Sequence, residues 1–485
     1  MRPFPAVFFL TFLWGTAGLW AETPIPLSPE TKRVVLSRYM TLLEDPSGKL
    51  RLEDLVSGSQ DKRFFTSPDE TPNFGYSTSV YWIRFKADFT RAGESEWFLE
   101  YAFPQMDHLT FYEEGDHGEW KRRATGLLSP FSSREIPHQN FVFTLLPSPD
   151  KKVKTYFIRL ENRDQVQIPL VLWSKTEFIS SDRKAQFFFG IYFGIFLVMI
   201  FYNFFLFLSI RDRSYIYYVA FIFCFAVWMY SLGGFARTNH SGFFDFFPSL
   251  NHHMPLILAL VLLSGAEFTR SFLNTGEILR IGDRTLCALQ VMVIGALGLW
   301  PVIGYQNAIS AQVFLGLLII TVIFVNAVMA VLKGSRPARF FFLAWFSLLL
   351  GGAFSGLSTY GIVPVNFFTQ YSLNFSSVIE VTLLSFALAD RINRLREEKL
   401  QAQKETMTAQ EDLVRAAEEK LFRDPMTGLP NRNRLFQMLD EKEDPAIIVG
   451  NVDRFREINN FYGSAIGDYI IRTLTQRLDE YCAKE

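Results

Sequence analysis

Residues 190–221 read GIYFGIFLVMIFYNFFLFLSI, then RDR, then SYIYYVAF. An apolar run, three charged residues in a row and a second apolar run follow one another without a break. The hydrocarbon core of a bilayer is about 30 Å thick, and a helix needs roughly 20 apolar residues to cross it. Taken out to their limits, at about 186–210 and 215–235, both runs reach that length. They read as two membrane helices joined by a short basic turn. Further runs of spanning length follow at approximately 253–272, 285–304, 308–332, 339–360 and 366–389, the third broken near its end by Glu267. The middle of the chain therefore predicts a seven-helix transmembrane bundle over 186–389. Phe alone supplies 51 of the 485 residues and is concentrated there, so the apolar excess belongs to this region.

Basic residues set the expected orientation, because cytoplasmic loops are enriched in Lys and Arg. The loops after spans one, three and five carry Arg211 and Arg213; Arg270, Arg280 and Arg284; then Lys333, Arg336 and Arg339. The alternate loops carry only Arg237, and Arg391, Arg394 and Arg396 follow span seven. This asymmetry expects the N-terminus in the periplasm, the C-terminus in the cytoplasm, and a multi-pass protein of a bacterial inner membrane. The N-terminus agrees. Arg2, the short apolar core Ala6–Trp14 and the small residues Gly15, Thr16 and Ala17 read as a signal peptide over 1–21, with Ala21 a second place to cut. The alternative, a first transmembrane helix, has a short core for the task.

Between 22 and 180 the pattern changes to VYWIRFKADF, EWFLEYAF, HLTFYEE, QNFVFTLL, KTYFIRLEN and IPLVLW. These are short runs of aromatic and β-branched residues, many alternating apolar with polar, and separated by turn formers. They predict an all-β antiparallel sandwich as the exported domain. Cys224 and Cys287 fall in apolar helices and Cys482 near the C-terminus, so no disulfide holds that domain. Charge is balanced, at 48 Lys plus Arg against 49 Asp plus Glu, and gives no reason to expect nucleic acid as a partner.

After span seven, residues 390–421 form a charged stretch without Gly or Pro. Ile392, Leu395, Ala402, Ala409, Leu413 and Ala416 recur in threes and fours, which suits a parallel coiled coil and a homodimer through this helix. A solvated single helix fits the same residues. Two carboxylates inside the spans also need a role. Glu267 lies close to a helix end, where a boundary position explains it. Glu380 is deeper, where intramembrane carboxylates are usually functional, so a structural or switching use stands beside an ion or proton path. His252 and His253 are adjacent on one helix and point apart, so they read as surface residues rather than a metal pair.

The chain then runs RDPMTGLPNRNRLFQML over 423–439, the apolar run PAIIVGNVDRF over 445–455, expected as a strand, and REINNFYGSAIGDYIIRTLTQRL over 456–478. Asp424, Thr427, Gly428, Leu429, Pro430, Asn431 and Arg432 form an opening motif. Asn451, Asp453, Phe455, Arg456, Ile458, Asn459, Asn460, Gly463, Ser464, Gly467 and Asp468 then keep the spacing D-x-D-x-F-K-x-I-N-D-x-x-G-H-x-x-G-D. On these residues the segment 422–485 resembles the first half of a GGDEF domain, the α/β fold of diguanylate cyclases. The resemblance implies GTP as substrate and Mg²⁺ as cofactor, with two GTP molecules meeting across a dimer. It implies a metal carboxylate at position 451, a backbone metal ligand at Val452 and guanine contacts at Asn459 and Asp468. Asp453, Phe455, Arg456, Gly463 and Gly467 would support the motif. Two departures follow. Asn451 puts a neutral amide where the family has a charged ligand, and a hard cation depends on anionic oxygen. The sequence also stops at Glu485, before the Gly-Gly-Asp/Glu-Glu-Phe signature, so these 485 residues are expected to hold no Mg²⁺ and to make no cyclic di-GMP.

The rest of the chain resembles the seven-transmembrane receptors with diverse intracellular signalling modules. That resemblance rests on VYWIRFKADF through FPQMDHLTFYE, on the 190–221 stretch, and on SFALADRINRLREEK at 385–399. It implies a jelly-roll-like outer domain that takes a periplasmic ligand, of carbohydrate type in the family, and a bundle embedded in membrane lipid. The expected function is a receptor passing a periplasmic signal to a cyclic di-GMP module. A non-enzymatic receptor, or a fragment of a GGDEF-EAL phosphodiesterase, is the alternative that Asn451 keeps open. A transporter or channel fits less well with a signalling helix running into a GGDEF motif.

Overall fold

In a computed structural model of the chain, the structure describes residues 23–92, 96–148, 150–163, 165–237, 253–335, 337–441 and 446–483. The expected signal peptide and His252 lie outside them. Contacts divide the chain into Met1–Asp390 and Arg391–Glu485, each taken here by itself.

The first unit opens with β1 (Ile25–Pro26), β2 (Arg33–Val35), β3 (Met40–Asp45), a short helix α1 (Leu52–Val56), β4 (Asn73–Tyr76) and β5 (Val80–Asp88). It continues through β6 (Trp97–Tyr101), β7 (His108–Glu114), β8 (Trp120–Thr125), β9 (Phe141–Leu145), β10 (Val153–Glu161), β11 (Gln165–Gln167) and β12 (Leu170–Ser174). One sheet runs β1-β5-β10-β7-β8 with β3 also on β5, a second runs β2-β12-β6-β9, and β11 pairs β4. Apart from the two-residue parallel pairing of β1 with β5, every pairing is antiparallel.

Period two explains the layering. On β5, Tyr81, Ile83, Phe85 and Ala87 enter the core between the sheets, with Leu99, Tyr101, Phe111, Phe143 and Tyr156. The alternate Val80 and Trp82 pack on the other face with Leu43, Phe157 and the α1 residues Leu52 and Leu55. Both faces of the first sheet are thus covered at the start of β5, where Val80–Ile83 are all buried before the strand returns to alternation. At the open edge, Arg123 of β8 lies over the rings of Phe111 and Phe143, donates to Glu113 and Glu135, and reaches the carbonyl of Thr144 on β9 at 3.1 Å. One guanidinium ties the two sheets together there.

The sandwich ends at Ser174, and α2 (Lys175–Ile210) begins at the next residue, earlier than the apolar run itself. Then come α3 (Arg213–Leu232), α4 (Met254–Leu273), α5 (Thr275–Ile278), α6 (Arg280–Leu332), α7 (Pro337–Thr359), α8 (Phe367–Gln370) and α9 (Ser372–Phe422). Among the described residues six helices are long and apolar enough to cross a membrane. They make seven crossings. A straight helix of 53 residues would run about 80 Å, far beyond a bilayer core, at 1.5 Å per residue. Instead α6 breaks at Gly304, whose φ of 79° and ψ of 166° belong to glycine, with Pro301 just before it. The two arms then fold back on each other. A Cβ on Gly282 would strike the side chain of Asn326, Gln312 donates to the carbonyl of Val293 at 3.1 Å, and Lys333 reaches the carbonyl of Ile278. Each pair straddles Gly304 nearly symmetrically, as a helical hairpin requires.

In the second unit, the charged end of α9 is followed by α10 (Arg432–Asp440), α11 (Phe455–Tyr462) and α12 (Ser464–Cys482). The run expected as a strand at 445–455 is not one. Its described residues 446–452 have no regular structure, and Ile448 and Val449 are 98% and 88% exposed. A strand exists by its ladder of backbone hydrogen bonds to a neighbour, and no described residue supplies that neighbour.

Candidate functional site

The β-sandwich is fastened to one end of the bundle by side-chain amides. Gln105 donates to the carbonyls of Ser231 and Leu232, in the last turn of α3, at 3.2 and 2.8 Å. Asn73 donates to the carbonyl of Ser358, in the last turn of α7. Gln306, just past the break in α6, donates to the carbonyl of Arg163 at 2.9 Å. The last carbonyls of a helix lie beyond its regular ladder; those of Ser231 and Ser358 accept from the N–H groups of Gly234 and Gly361, and the sandwich amides add a second bond to each. Close packing accompanies these bonds. Tyr76 lies against Tyr360, and a Cβ on Gly234 would strike Pro104.

The first turns of α2 pack under the second sheet, where Phe178 meets Phe98 and Val142. There His138 and Asp182 are joined at 3.1 Å, and Asn140 and Trp173 both donate to Glu100. α4 also starts at this end, its His253 ring against Trp300 near the break in α6. The crossings therefore alternate, and the seventh, on α9, runs away from the sandwich.

Glu267 and Glu380 have different settings. Glu267 pairs with Arg270 at 2.6 Å and accepts from Gln290, while Arg270 also grips Asp283 at 2.8 Å. It belongs to an ion-pair cluster where α4 meets the start of α6, in keeping with a boundary position. Glu380 is fully buried, and neither carboxylate oxygen has a hydrogen-bond partner among the described residues.

The opening motif folds as its residues dictate. The Asp424 carboxylate accepts from the backbone N–H groups of Met426 and Thr427 and from the Thr427 hydroxyl. The Thr427 N–H, then its hydroxyl, hold that carboxyl below its ordinary range. Gly428 takes φ of 73°, and the loop closes as Asp424 donates its N–H to Leu429 and Asn431 donates to Phe422. Asn431 then caps α10 through the N–H groups of Asn433 and Arg434, and its own amide reaches the carbonyl of Leu421. The end of α9 and the start of α10 are thereby fixed to one loop.

Among the expected site residues, Asn459 on α11 and Gly467 on α12 come together, because Gly463 between them adopts φ of 84°. The Asn459 side chain lies directly over Gly467, leaving no space for a Cβ, and Phe455 packs beside it. The Asn459 amide oxygen is buried without a partner. Asp468 is exposed on the next position of α12, and Arg456 is exposed on α11. Asn451 and Asp453 are exposed and Val452 half-buried, in the irregular segment before α11. Among the described residues no group of three or more His, Cys, Asp or Glu is placed to hold a metal. The bridging amides Asn73, Gln105 and Gln306 have no signal in the sequence, since a single amide contributes nothing to a periodic pattern.

Comparison with known proteins follows the same divisions. The family model described as 7TMR-DISM extracellular 2 matches residues 37–174, and that described as 7TM diverse intracellular signalling matches 185–391. That of the diguanylate cyclase GGDEF domain matches 421–485. Among curated proteins, an uncharacterized protein y4lL of Sinorhizobium fredii is 35% identical over 91 residues, 17% of this chain and 10% of that protein. The diguanylate cyclase VdcA of Vibrio cholerae is 32% identical over 76 residues, 15% of this chain and 22% of that protein. The chain thus spans well under two thirds of either relative. With the sandwich against one end of the bundle, and a GGDEF opening loop at the end of the helix that leaves it, the chain carries in order an extracellular domain and a seven-transmembrane domain that match the diverse intracellular signalling models, and then a GGDEF-domain segment.

Proposed function

We propose that this protein is a multi-pass receptor of a bacterial inner membrane, with the sandwich in the periplasm and α9 carrying its state to a cyclic di-GMP module in the cytoplasm. The observation behind this reading is α9 itself, an unbroken helix from the seventh crossing to the GGDEF opening loop. A ligand acts on such a bundle only if it binds two of its arrangements unequally. The amide caps at the ends of α3 and α7 are where unequal binding by the sandwich would reach the spans. The basic loops support this orientation, and the seventh crossing runs away from the sandwich. We take 390–421 as the homodimer seam, which would bring two GTP-binding segments together.

Within the GGDEF segment, GTP would contact Asn459 and Asp468, and Mg²⁺ would sit at Asn451 and the Val452 backbone. One neutral amide is a poor start for a divalent site. Asn451 therefore favours a second reading for the complete protein, in which the segment binds nucleotide without turning it over, or stands before a phosphodiesterase.

Alkaline phosphatase fused after Trp173 is expected to be active and a fusion after Lys399 silent. The reverse pattern would overturn the topology and the receptor reading with it. For the output, the gene carried through to its own stop codon should make little cyclic di-GMP from GTP and Mg²⁺. Its Asn451→Asp variant should make at least about tenfold more, on the order of one charged ligand. Full activity without the substitution would discard the second reading.

A further inference from the structure

The outer half of the seventh crossing is polar on its buried side. Asn374, Ser376, Ser377, Glu380 and Ser385 are all buried on α9, and the donors around Glu380 are spent elsewhere. Ser376, Ser377 and Ser385 return their hydroxyl protons to carbonyls of their own helix. Tyr192 of α2 meets Ser377 at 3.0 Å, and Tyr218 of α3 donates to the carbonyl of Val381 at 2.8 Å. Asn203 of α2 gives its amide N–H groups to Met199 and Ser385. What remains are acceptors, namely both oxygens of Glu380 and the side-chain oxygen of Asn203, all buried and without a donor.

An ionised carboxylate in so dry a place costs many kcal/mol unless positive charge accompanies it. Among the described residues no basic side chain pairs with it, and Tyr192 and Tyr218, whose hydroxyls meet Ser377 and the carbonyl of Val381, are uncharged phenols. On the packed elements the nearest charges in sequence are Asp390 and Arg391 on α9, Asp182, Arg183 and Lys184 on α2, Arg211, Asp212 and Arg213 between α2 and α3, and Arg339 on α7; on α9 itself the first of them is ten residues, or roughly 15 Å, from Glu380.

We propose that Glu380 is a monovalent-cation site in the core of the bundle, holding a single proton or a single sodium ion between α2, α3 and α9. One carboxylate supplies one charge, and divalent ions demand more. The site ties three crossings to one bound charge. Losing that charge would force the carboxylate towards water and loosen α9 from α2 and α3. This inference stands apart from the output of the GGDEF segment and from the periplasmic ligand.

The test uses the full chain in lipid nanodiscs, melted by its intrinsic fluorescence, since it holds nine tryptophans. Wild type and Glu380→Gln are compared between about pH 5 and about pH 9 in choline chloride, then with sodium replacing choline at equal ionic strength. A folded state that keeps a proton the unfolded chain releases loses about tenfold in its folding equilibrium per pH unit of that window. A wild-type midpoint that falls with pH and ignores sodium identifies the proton. One that sodium raises at high pH identifies the sodium ion. In both cases Glu380→Gln, neutral at every pH, is expected to respond less than wild type. Equal responses of the two proteins to pH and to sodium would overturn the site. Should Glu380→Gln fail to fold, infrared spectra of wild type alone decide. A protonated-carboxyl band persisting near pH 8, or carboxylate bands shifted by sodium, supports the site, and carboxylate bands indifferent to sodium overturn it.

Discussion

Asp45 closes β3 with a carboxylate that is almost wholly buried and yet fully used. It accepts from the Ser47 hydroxyl at 2.6 Å, the Ser47 N–H at 3.1 Å and the Leu50 N–H at 2.9 Å. Burial works to raise its pKa, but the Ser47 hydroxyl and the Leu50 N–H outweigh it and leave the carboxyl below its ordinary 3.8. A carboxyl held low in the folded state contributes stability above its unfolded pKa and loses it as pH falls through the folded one. The contribution is therefore complete at neutral pH, begins to fall as pH approaches the unfolded value of about 3.9, and is gone only below the lower folded pKa. Asp45→Asn turns an acceptor oxygen into a donor facing N–H groups, and is expected to cost about 1–3 kcal/mol at pH 7. Thermal melting of the sandwich should show that loss shrinking in acid. A loss that is constant down to about pH 3 would mean the charge is not what the turn uses. Gly126 is fixed by space instead. At φ of 155°, a Cβ there would run into the carbonyl of Asp107. Gly126→Ala should destabilise the sandwich by at least about 2 kcal/mol.

At the level of elements, legibility followed how far each segment depends on itself. The six quoted aromatic runs are strands because their side chains alternate between two buried layers, and that alternation is written in sequence. β8 carries no strand signal because WKRRAT is charged, as an edge strand often is. β3 carries none because MTLLED shows no clean alternation where both faces of its sheet are covered. The run at 445–455 has the composition of a strand but lacks a neighbour among the described residues, and composition cannot supply one. The spacing of the opening motif was legible because its loop closes on itself through Asp424 and Asn431. The contact of Asn459 with Gly467 needed the turn at Gly463 to be seen. The apolar pattern divides 285–332 between 304 and 308, and α6 breaks beside that point at Gly304. Gly304→Ala should cost about 1–3 kcal/mol, because that backbone conformation excludes a Cβ. The hairpin can be probed with Val293→Cys and Gln312→Cys, which an oxidant should cross-link in wild-type background. Cross-linking undiminished by Gly304→Ala would show that another residue sets the turn.

For the whole molecule, the question is whether the sandwich merely sits on the bundle or holds its helices. The bundle ends it touches differ in kind. α2 is joined to β12 by the chain itself and is held under the second sheet by Phe178 and by Asp182 against His138. α3 and α7 have no such link, and their last turns meet the sandwich through Gln105 and Asn73. A carbonyl at a helix end gains about 0.5–1.5 kcal/mol from such a bond, although Ser231 and Ser358 keep the N–H groups of Gly234 and Gly361 as second partners. Neither amide is inside the core between the sheets, and although Asn73 also accepts from the N–H of Gly75 in β4, their removal should spare that core. Hydrogen exchange on the double variant Asn73→Ala with Gln105→Ala should therefore rise by about tenfold in the last turns of α3 and α7. Exchange in β5, β7 and β10 should stay as in wild type, because those strands are stabilised by the core of Phe85, Phe111 and Tyr156. An unchanged rate at both helix ends would mean that packing of Tyr76 on Tyr360 and of Pro104 beside Gly234 suffices, and that the amides carry nothing between the domains. A rise at α7 alone would place the working contact at Asn73, opposite the crossing that packs beside the polar face of α9 through Ser347 and Ser376.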